Sequence, residues 1–313
     1  MIVAEQLTKR FENFLAVADM SFSVQPGQVL VFLGPNGAGK TTTVRMLSSV
    51  LRPTSGSAWV AGYDVITHPR EVRARVGVLT EQHGLYARMT AKEYLNFFGE
   101  LYGLTPAEIC ARSAALLEQF GLAGARGRRL GTYSRGMRQK LALIRALVHD
   151  PPVLLLDEPT TAMDPESALV VRDAIRKQAG EGRTIILCTH NLYEAELLAH
   201  HIAVIRQGRI LYQSDKAEFL HDLLGPSQFQ ARFAHPVGDW TPTLPPGVRL
   251  VERGAEWMRF TVDDPVLSNP LLLRQMLSGP LEMVAFEEVT QNLESAYIEA
   301  VNRFTRPEAP HAA

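Results

Sequence analysis

Residues 34–42 read Gly-Pro-Asn-Gly-Ala-Gly-Lys-Thr-Thr, and this stretch decides the fold. It fits the pattern G-x-x-x-x-G-K-[ST], in which glycines let the backbone curl so that successive N–H groups point into one concavity. The apolar run 29–33 predicts a buried strand before the loop, and the residues from Lys40 onward predict a helix after it. A strand, such a loop and a helix N-terminus in this order favour the binding of a triphosphate.

Each residue of the loop is a candidate phosphate contact. The Lys40 side chain would reach the β- and γ-phosphates, and the Thr41 hydroxyl would ligate a Mg²⁺ ion that bridges two phosphate oxygens. The alternative is a glycine-rich turn that only joins a strand to a helix. The predicted contacts are Gly34, Pro35, Asn36, Gly37, Ala38, Gly39, Lys40, Thr41 and Thr42.

Composition and charge narrow the class of protein. The chain has 313 residues, of which 46% are hydrophobic and 21% charged, values that favour a globular protein of two domains. Lys and Arg total 32 against 33 Asp and Glu, so no net positive charge attracts nucleic acid, and no nucleic-acid partner is expected. The sequence shows no signal peptide and no apolar run long enough to span a bilayer, which predicts a protein that stays in the cytosol.

The two cysteines carry no sign of a metal site. Cys110 and Cys188 are far apart in the sequence and lack the spacing of metal ligands. Each is therefore predicted to be a buried, small apolar residue.

Short strands and a helical insertion surround the loop. Strands are predicted at 3–11 and 15–24, and Phe11, at the end of the first, is either an adenine-stacking ring or a strand-end core residue. From about 85 to 150 apolar residues recur at helical spacing, which predicts an inserted helical subdomain. Within it, Ser134 is a predicted N-cap, and with Gly136 it would present amide groups as a second anion site; the alternative is an ordinary capped helix.

Carboxylates and a histidine follow two later strands. The run 153–156 is continuously apolar, as expected of a parallel strand buried on both faces, and Asp157 and Glu158 come directly after it. In open α/β sheets ligands bind at the C-terminal ends of the strands, so Asp157 is a candidate for Mg²⁺ and Glu158 for the general base. His190 follows the next strand and is expected at the same sheet edge.

The last third of the chain predicts a small α+β unit. Alternating apolar residues indicate strands near 229–233, 258–262 and 284–286, Asn269-Pro270 is expected to open a short helix, and Thr290 and Asn292 are candidate caps of a final helix. The predicted domains are 1–224, with the helical subdomain at about 85–150, and 225–305, followed by a frayed tail at 306–313.

The ordered motifs resemble the nucleotide-binding domain of ATP-binding cassette (ABC) transporters over about residues 2–220. In that family 34–42 corresponds to the Walker A loop, 154–158 to the Walker B strand with its catalytic Glu158, and Asp164 lies in the D-loop. His190 matches the switch histidine and Phe11 the aromatic residue that stacks on adenine. The resemblance implies an α/β P-loop NTPase fold: a RecA-like parallel sheet, N-terminal antiparallel strands and an inserted helical subdomain.

Two motifs depart from the family pattern. Residues 133–137 read Tyr-Ser-Arg-Gly-Met where the family has LSGGQ, but the phosphate-contacting Ser134 and Gly136 are retained. Glu81 stands where the family's Q-loop glutamine is expected and Gln82 follows it, so either side chain could serve that role. With the C-terminal extension, these departures resemble the branch of stand-alone ATPase subunits that serve multidrug, antibiotic and polysaccharide exporters.

The resemblance implies an ATPase that works as a head-to-tail dimer, either a homodimer or a pair with a second ATPase subunit. Two ATP molecules, with Mg²⁺, lie between the phosphate loop of one copy and the signature helix of the other. An integral membrane permease rests on the helical subdomain, which implies a peripheral location at the cytoplasmic face of the plasma membrane.

Two other functions compete with transport. Soluble ABC ATPases that act on DNA or ribosomes share the loop and Walker B motifs, but they carry a long coiled coil between them or a second cassette, and only about 120 residues separate the motifs here. A P-loop kinase acting on a small molecule would not explain the segment around Ser134.

Overall fold

The computed structural model describes residues 1–80, 84–161, 163–289 and 292–305. The chain divides into two compact units, Met1–Lys216 and Ala217–Ala313. The division falls at the start of helix α8 (Lys216–Leu224), whereas the predicted domain boundary lies at its end and stays a prediction.

The first unit contains two sheets. Its strands are β1 (Ile2–Phe11), β2 (Phe14–Val24), β3 (Val29–Leu33), β4 (Ser55–Val60), β5 (Tyr63–Asp64), β6 (Val76–Leu79), β7 (Val153–Asp157), β8 (Thr184–Thr189), β9 (His201–Arg206) and β10 (Arg209–Asp215). Its helices are α1 (Lys40–Leu47), α2 (Pro69–Ala74), α3 (Ala91–Leu101), α4 (Pro106–Gln119), α5 (Arg135–Leu147), α6 (Pro165–Gly180) and α7 (Leu192–Leu198).

The central sheet confirms the predicted parallel core. Its strand order is β10-β9-β3-β8-β7-β6, and all neighbouring pairs are parallel except the edge pair of β9 and β10. Every residue of β3, β7 and β8 is buried, as their continuous apolar runs predicted. The sheet therefore brings the C-terminal ends of β3, β7 and β8 to one edge, where the site lies.

A second, antiparallel sheet of order β2-β1-β4-β5 confirms the predicted N-terminal strands. It shares one apolar core with the central sheet: Leu7 and Phe22 from the antiparallel strands pack in the same cluster as Met46 of α1 and Leu155 and Ile186 of the central sheet. Helix α1 is thereby held between the sheets, which fixes the direction of its N-terminus.

Helices α3, α4 and α5 form the predicted helical subdomain, and residues 84–152, all of them described, contain no strand of either sheet. Thr90 and Thr105 cap α3 and α4 in capping boxes closed by Glu93 and Glu108. Each box satisfies otherwise free N–H groups at the helix N-terminus, so both helices begin at defined residues.

Just beyond α5, the ring of His149 stacks on that of Tyr102, with 3.6 Å between the centroids and 2° between the planes. Burial lowers the pKa of His149 to about 4, and the charges of Arg112 and Arg183 act in the same direction, against Asp150. In the unfolded chain the pKa of a histidine is about 6.5. The stability that the neutral ring contributes is therefore complete above pH 6.5 and is lost as the pH falls from there toward 4.

We expect His149→Gln to reduce the acid sensitivity of the protein, because glutamine takes up no proton. Between pH 7 and pH 4.5 the wild type should lose about 2 kcal/mol more free energy of unfolding than the variant. Urea unfolding at both pH values measures the difference. His235→Gln, at an exposed histidine, is the matched control; equal losses in wild type and His149→Gln would contradict the expectation.

The second unit is a four-stranded antiparallel sheet with helices. Its elements after α8 are β11 (Ser227–Phe233), β12 (Val248–Arg253), β13 (Trp257–Val262), α9 (Pro265–Leu277), β14 (Met283–Val289) and α10 (Leu293–Thr305), and the strand order is β12-β13-β11-β14. Phe229 and Phe233 of β11 and Phe260 of β13 pack with Leu272 and Met276 of α9. The predicted α+β character of this segment is confirmed.

Details of the second unit correct the sequence analysis. The helix predicted to open at Asn269-Pro270 begins at Pro265, capped by Asp264, whose carboxylate accepts from the N–H groups of Val266 and Leu267 at 3.0 and 3.1 Å. A proline is favoured in the first turn, so Pro265 marked the start and Pro270 lies inside the helix.

Strand β12 was not predicted, because three of its six residues are charged and it forms the sheet edge. At the last helix, Asn292 is confirmed as a cap that accepts from the N–H of Ser295 at 2.9 Å. Thr290 and the tail 306–313 lie outside the described residues.

In the first unit, Cys188 is buried as predicted, but the prediction for Cys110 is wrong, because it is exposed on α4.

Candidate active site

A cavity of about 180 Å³ lies at the sheet edge where β3 and β7 end. Residues 35–42 of the phosphate loop line it together with Asp157, at the end of β7, and Glu158; of the predicted loop contacts, Gly34 is not part of the lining. The lining residues are Phe14, Ala16, Pro35, Asn36, Gly37, Ala38, Gly39, Lys40, Thr41, Thr42, Asp157 and Glu158.

Close backbone packing shapes the loop. Gly39, the residue before α1, has a φ of 106°, and a Cβ atom there would lie 2.7 Å from the carbonyl oxygen of Ala16. A Cβ atom on Gly34 would lie 2.1 Å from the carbonyl oxygen of Ile205. No side chain larger than hydrogen fits either position, so the glycines are required by packing as well as by curvature.

The hairpin between β9 and β10 is hydrogen-bonded to the phosphate loop. The N–H of Gly208 donates to the carbonyl oxygen of Ala38 at 3.0 Å, and the N–H of Ala18 donates to that of Gly208 at 2.8 Å. Gly208 therefore joins the loop to strand β2 through backbone hydrogen bonds alone. The sequence did not indicate this contact.

Lys40 is the buried cation of the cavity, with 5% of its surface exposed. Its Nζ donates to the carbonyl oxygens of Gly34 and, at 3.3 Å, Pro35, and lies 3.5 Å from Oε1 of Glu158. A buried ammonium with carbonyl and carboxylate partners is held at the opening of the loop, where an anionic ligand would gain a strong charge-assisted contact.

Thr41 and Asp157, the predicted metal ligands, are hydrogen-bonded to each other. The hydroxyl of Thr41 donates to Oδ2 of Asp157 at 2.6 Å. Among the described residues no group of three or more His, Cys, Asp and Glu side chains could hold a metal. Two hard oxygen donors beside a phosphate loop suit Mg²⁺, which commonly takes one or two protein oxygens together with phosphates and waters.

Glu158 lies at the centre of the site. Its backbone has a φ of 51°, a conformation that costs an L-residue about 1 kcal/mol and needs support from its surroundings. Part of that support comes from Cys188, whose carbonyl oxygen accepts from the N–H of Glu158 at 2.9 Å. The carboxylate has two more partners, Nδ1 of His190 at 2.9 Å and the hydroxyl of Thr161, which donates at 2.9 Å.

His190 lies at the sheet edge where the sequence placed it, and there it contacts Glu158; Thr161 is a partner that the sequence did not indicate. His190 is exposed on one side, whereas Glu158 is 9% exposed. A carboxylate held by two side chains in a nearly dry pocket has a fixed orientation, as a general base requires.

Behind this pair lies a second buried carboxyl group, that of Glu194. It is 1% exposed and accepts from the hydroxyl of Thr160 at 2.9 Å, while Asn191 caps the helix that carries it. Burial raises the pKa of Glu194, and the nearby charge of Glu158 acts in the same direction. Glu194 thus joins the chain after β7 to the helix after β8.

The predicted contacts Ser134, Gly136 and Asp164 lie outside the cavity lining. Ser134 caps α5 by accepting from the N–H of Met137 at 3.2 Å, which confirms it as an N-cap. A Cβ atom on Gly136 would lie 3.9 Å from Oδ2 of Asp164, which caps α6 and accepts from the N–H of Ser167 at 2.9 Å. Ser134 and Asp164 are exposed and Gly136 is half-buried, and these three residues form a second group, separate from the cavity lining.

The aromatic prediction is only partly supported. Phe11 is 43% exposed, so the core alternative is wrong, yet Phe11 is not among the residues that line the cavity. Its cross-strand partner Phe14 does line it and is 63% exposed. The Q-loop candidates Glu81 and Gln82 lie outside the described residues.

Sequence comparisons agree with the geometry. Residues 17–161 match the ABC transporter family. The chain is 43% identical to the ABC transporter ATP-binding protein NatA of Bacillus subtilis over 218 residues, which cover 68% of this chain and 89% of NatA. It is 40% identical to the daunorubicin resistance ATP-binding protein DrrA2 of Streptomyces coeruleorubidus, over 81% of this chain and 77% of that protein.

A solved structure has the same fold. The chain is similar to a dimeric ATP-binding cassette in a post-hydrolysis state bound to ADP and Pi, with a TM-score of 0.63 and 21% identity. The match covers 69% of this chain and 98% of the other.

Proposed function

The chain belongs to the family of ABC transporter ATP-binding proteins, and from that premise we propose that it is the ATP-hydrolysing subunit of an exporter whose permease is a separate membrane protein. One observation carries the proposal. At a single sheet edge, beside the phosphate loop, Glu158 contacts both Lys40 and His190.

ATP binds with its phosphates in the loop, where backbone N–H groups, the N-terminus of α1 and the Lys40 ammonium meet negative charge. Glu158 accepts a proton from the attacking water, while His190 and Thr161 hold its carboxylate in place. Thr41 and Asp157 would hold Mg²⁺, which neutralises charge on the phosphate oxygens.

A second chain completes each site in this proposal. Ser134 and Gly136 lie at a capped helix N-terminus away from the cavity, so one chain offers two separate anion-binding groups. A γ-phosphate held by the loop of one chain and by α5 of another binds the closed dimer more tightly than the open one. ATP binding therefore favours closure, and hydrolysis releases it.

In this proposal a separate membrane permease carries the substrate across the bilayer. No helix within the described residues is long and apolar enough to cross a membrane. We expect the permease to bind the helical subdomain at the cytoplasmic face of the membrane. The relative DrrA2 is named as a drug-resistance protein, which supports export as the direction of transport.

Co-purification of a membrane protein with this chain tests the proposed role in transport. When the full chain is purified by an affinity tag from detergent-solubilised native membranes, we expect a protein with several membrane-spanning helices to co-purify and to stimulate ATP turnover. The same chain recovered only from the soluble fraction, without such a protein, would count against transport. Tight and strongly salt-dependent binding to duplex DNA or ribosomes would favour the competing soluble ATPase function instead.

A further inference from the structure

Gln139 of α5 is a buried polar side chain, 4% exposed, that contacts the backbone around the proposed general base. Its Nε2 donates to the carbonyl oxygen of Glu158 at 3.1 Å and to that of Pro159 at 2.9 Å. Both acceptors lie on the chain that leaves β7. One amide group thus connects the helix of the second anion-binding group to the turn that carries Glu158.

This contact complements the other supports of the Glu158 turn. The N–H of Glu158 is held by Cys188, and the side chain is held by Thr161 and His190, while Gln139 holds the carbonyl side. Because the left-handed backbone of Glu158 persists only where its surroundings fix it, the loss of one support shifts the carboxylate.

We propose that Gln139 is a positioning residue that fixes the backbone of Glu158 and so makes catalysis at one site depend on the position of α5. The proposal rests on the proposed function, in which Ser134 at the start of α5 contacts the nucleotide bound by the other chain. Gln139 follows Ser134 by about one and a half helical turns. A movement of α5 on docking therefore carries the Gln139 amide with it.

The consequence is a link between the two nucleotides of the dimer. Through Ser134 a chain contacts the ATP held by its partner, and through Gln139 the same helix positions the Glu158 that acts on its own ATP. When α5 docks on the ATP of the partner chain, its movement changes the position of Glu158 in its own chain. The hydrogen bonds from Gln139, on the buried face of α5, transmit this movement, and so docking at one site affects hydrolysis at the other.

A second buried glutamine shows the difference between this role and ordinary packing. Gln178 on α6 is 6% exposed, but its Nε2 donates to the carboxylate of Glu181 just beyond the end of its own helix, at 3.2 Å. Gln139 instead reaches another element, across the helical subdomain boundary. Gln178 is therefore the matched control for the loss of a buried amide.

The test compares Gln139→Met with Gln178→Met in the full chain. Methionine keeps the length of the side chain but donates no hydrogen bond. We expect Gln139→Met to lower kcat by about 10- to 100-fold, with KM for ATP within about twofold of wild type, because it displaces the catalytic group without touching the nucleotide. Gln178→Met should keep kcat within about twofold of the wild-type value.

Dimerisation supplies the second measurement, in a Glu158→Gln background that binds ATP without consuming it. Adding Gln139→Met should leave the ATP concentration at half-dimerisation unchanged, whereas a rise above about tenfold would assign Gln139 to the docking surface and overturn the proposal. Wild-type kcat in Gln139→Met would also overturn it. If Gln139→Met does not fold, Gln139→Asn replaces it in the test, because it keeps the amide on a side chain one methylene shorter. We expect Gln139→Asn to lower kcat by less than the 10- to 100-fold expected for Gln139→Met, with KM for ATP unchanged.

The outcomes separate this inference from the proposed function. If the wild type hydrolyses no ATP, or if Glu158→Gln forms no ATP-dependent dimer, the proposed function fails whatever Gln139 does. If both behave as expected and only Gln139→Met matches the wild type, the positioning role alone fails.

Discussion

Replacing Glu158 with glutamine is expected to lower ATP turnover by about 10³-fold while ATP binding is retained. Glutamine has the shape of glutamate but accepts no proton from water at neutral pH. The phosphate loop is unchanged, so Lys40 and the backbone N–H groups still hold the nucleotide. Phosphate release measures turnover, and the fluorescence of a labelled ATP analogue measures affinity.

The control for this prediction is Glu118→Gln, at an exposed glutamate on α4. It changes the net charge by the same amount but lies outside the cavity lining, so turnover should match the wild type. Turnover near the wild-type value in Glu158→Gln would remove Glu158 from the role of general base. A large loss of ATP affinity would instead show that its contact with Lys40 is needed for binding.

Gly136→Asp should abolish ATP-dependent dimerisation and lower turnover by about 10²-fold or more, because it places a negative charge in the second anion-binding group. The new carboxylate would stand near Asp164 and at the N-terminus of α5, where the phosphate of a second chain's ATP is expected. ATP binding to the phosphate loop of the variant itself should be unchanged. Size-exclusion chromatography with and without ATP, together with phosphate release, gives both measurements.

The matched control is Gly127→Asp, because Gly127 lies in the same subdomain with no atom within 4 Å of an added Cβ. Mixing Gly136→Asp chains with Lys40→Ala chains provides a stronger test. Each mixed dimer contains one site with both an intact phosphate loop and an intact Gly136, so turnover of the mixture should exceed that of either variant alone. Normal dimerisation of Gly136→Asp would refute a head-to-tail arrangement through this surface.

The sequence was sufficient for the parts of the fold in which one residue pattern has one structural solution. The apolar runs 29–33 and 153–156 each predicted a buried strand, and both predictions are confirmed. Parallel strands end at the same edge of a sheet, so the placement of Glu158 and His190 at one edge followed from their order along the chain, whereas their direct contact is seen only in the structure.

Other contacts depend on packing that no local pattern contains. Gln139 stands on the buried stripe of α5, and a polar residue at an apolar position is a signal, but its acceptors 19 and 20 residues away are visible only in the structure. The same holds for Thr161 and Glu194. Phe11 and Phe14 face each other across the β1–β2 hairpin, and only the structure shows that Phe14 lines the cavity.

The exposure of Cys110 has a practical consequence. Of the two cysteines, Cys188 is fully buried and burial raises its thiol pKa well above the usual value, so a maleimide dye would react at Cys110 on α4. The native chain thus accepts one fluorophore at a known position on the helical subdomain. Two labelled chains would report a single inter-dye distance, from which opening and closing could be timed in individual molecules without engineering the sequence.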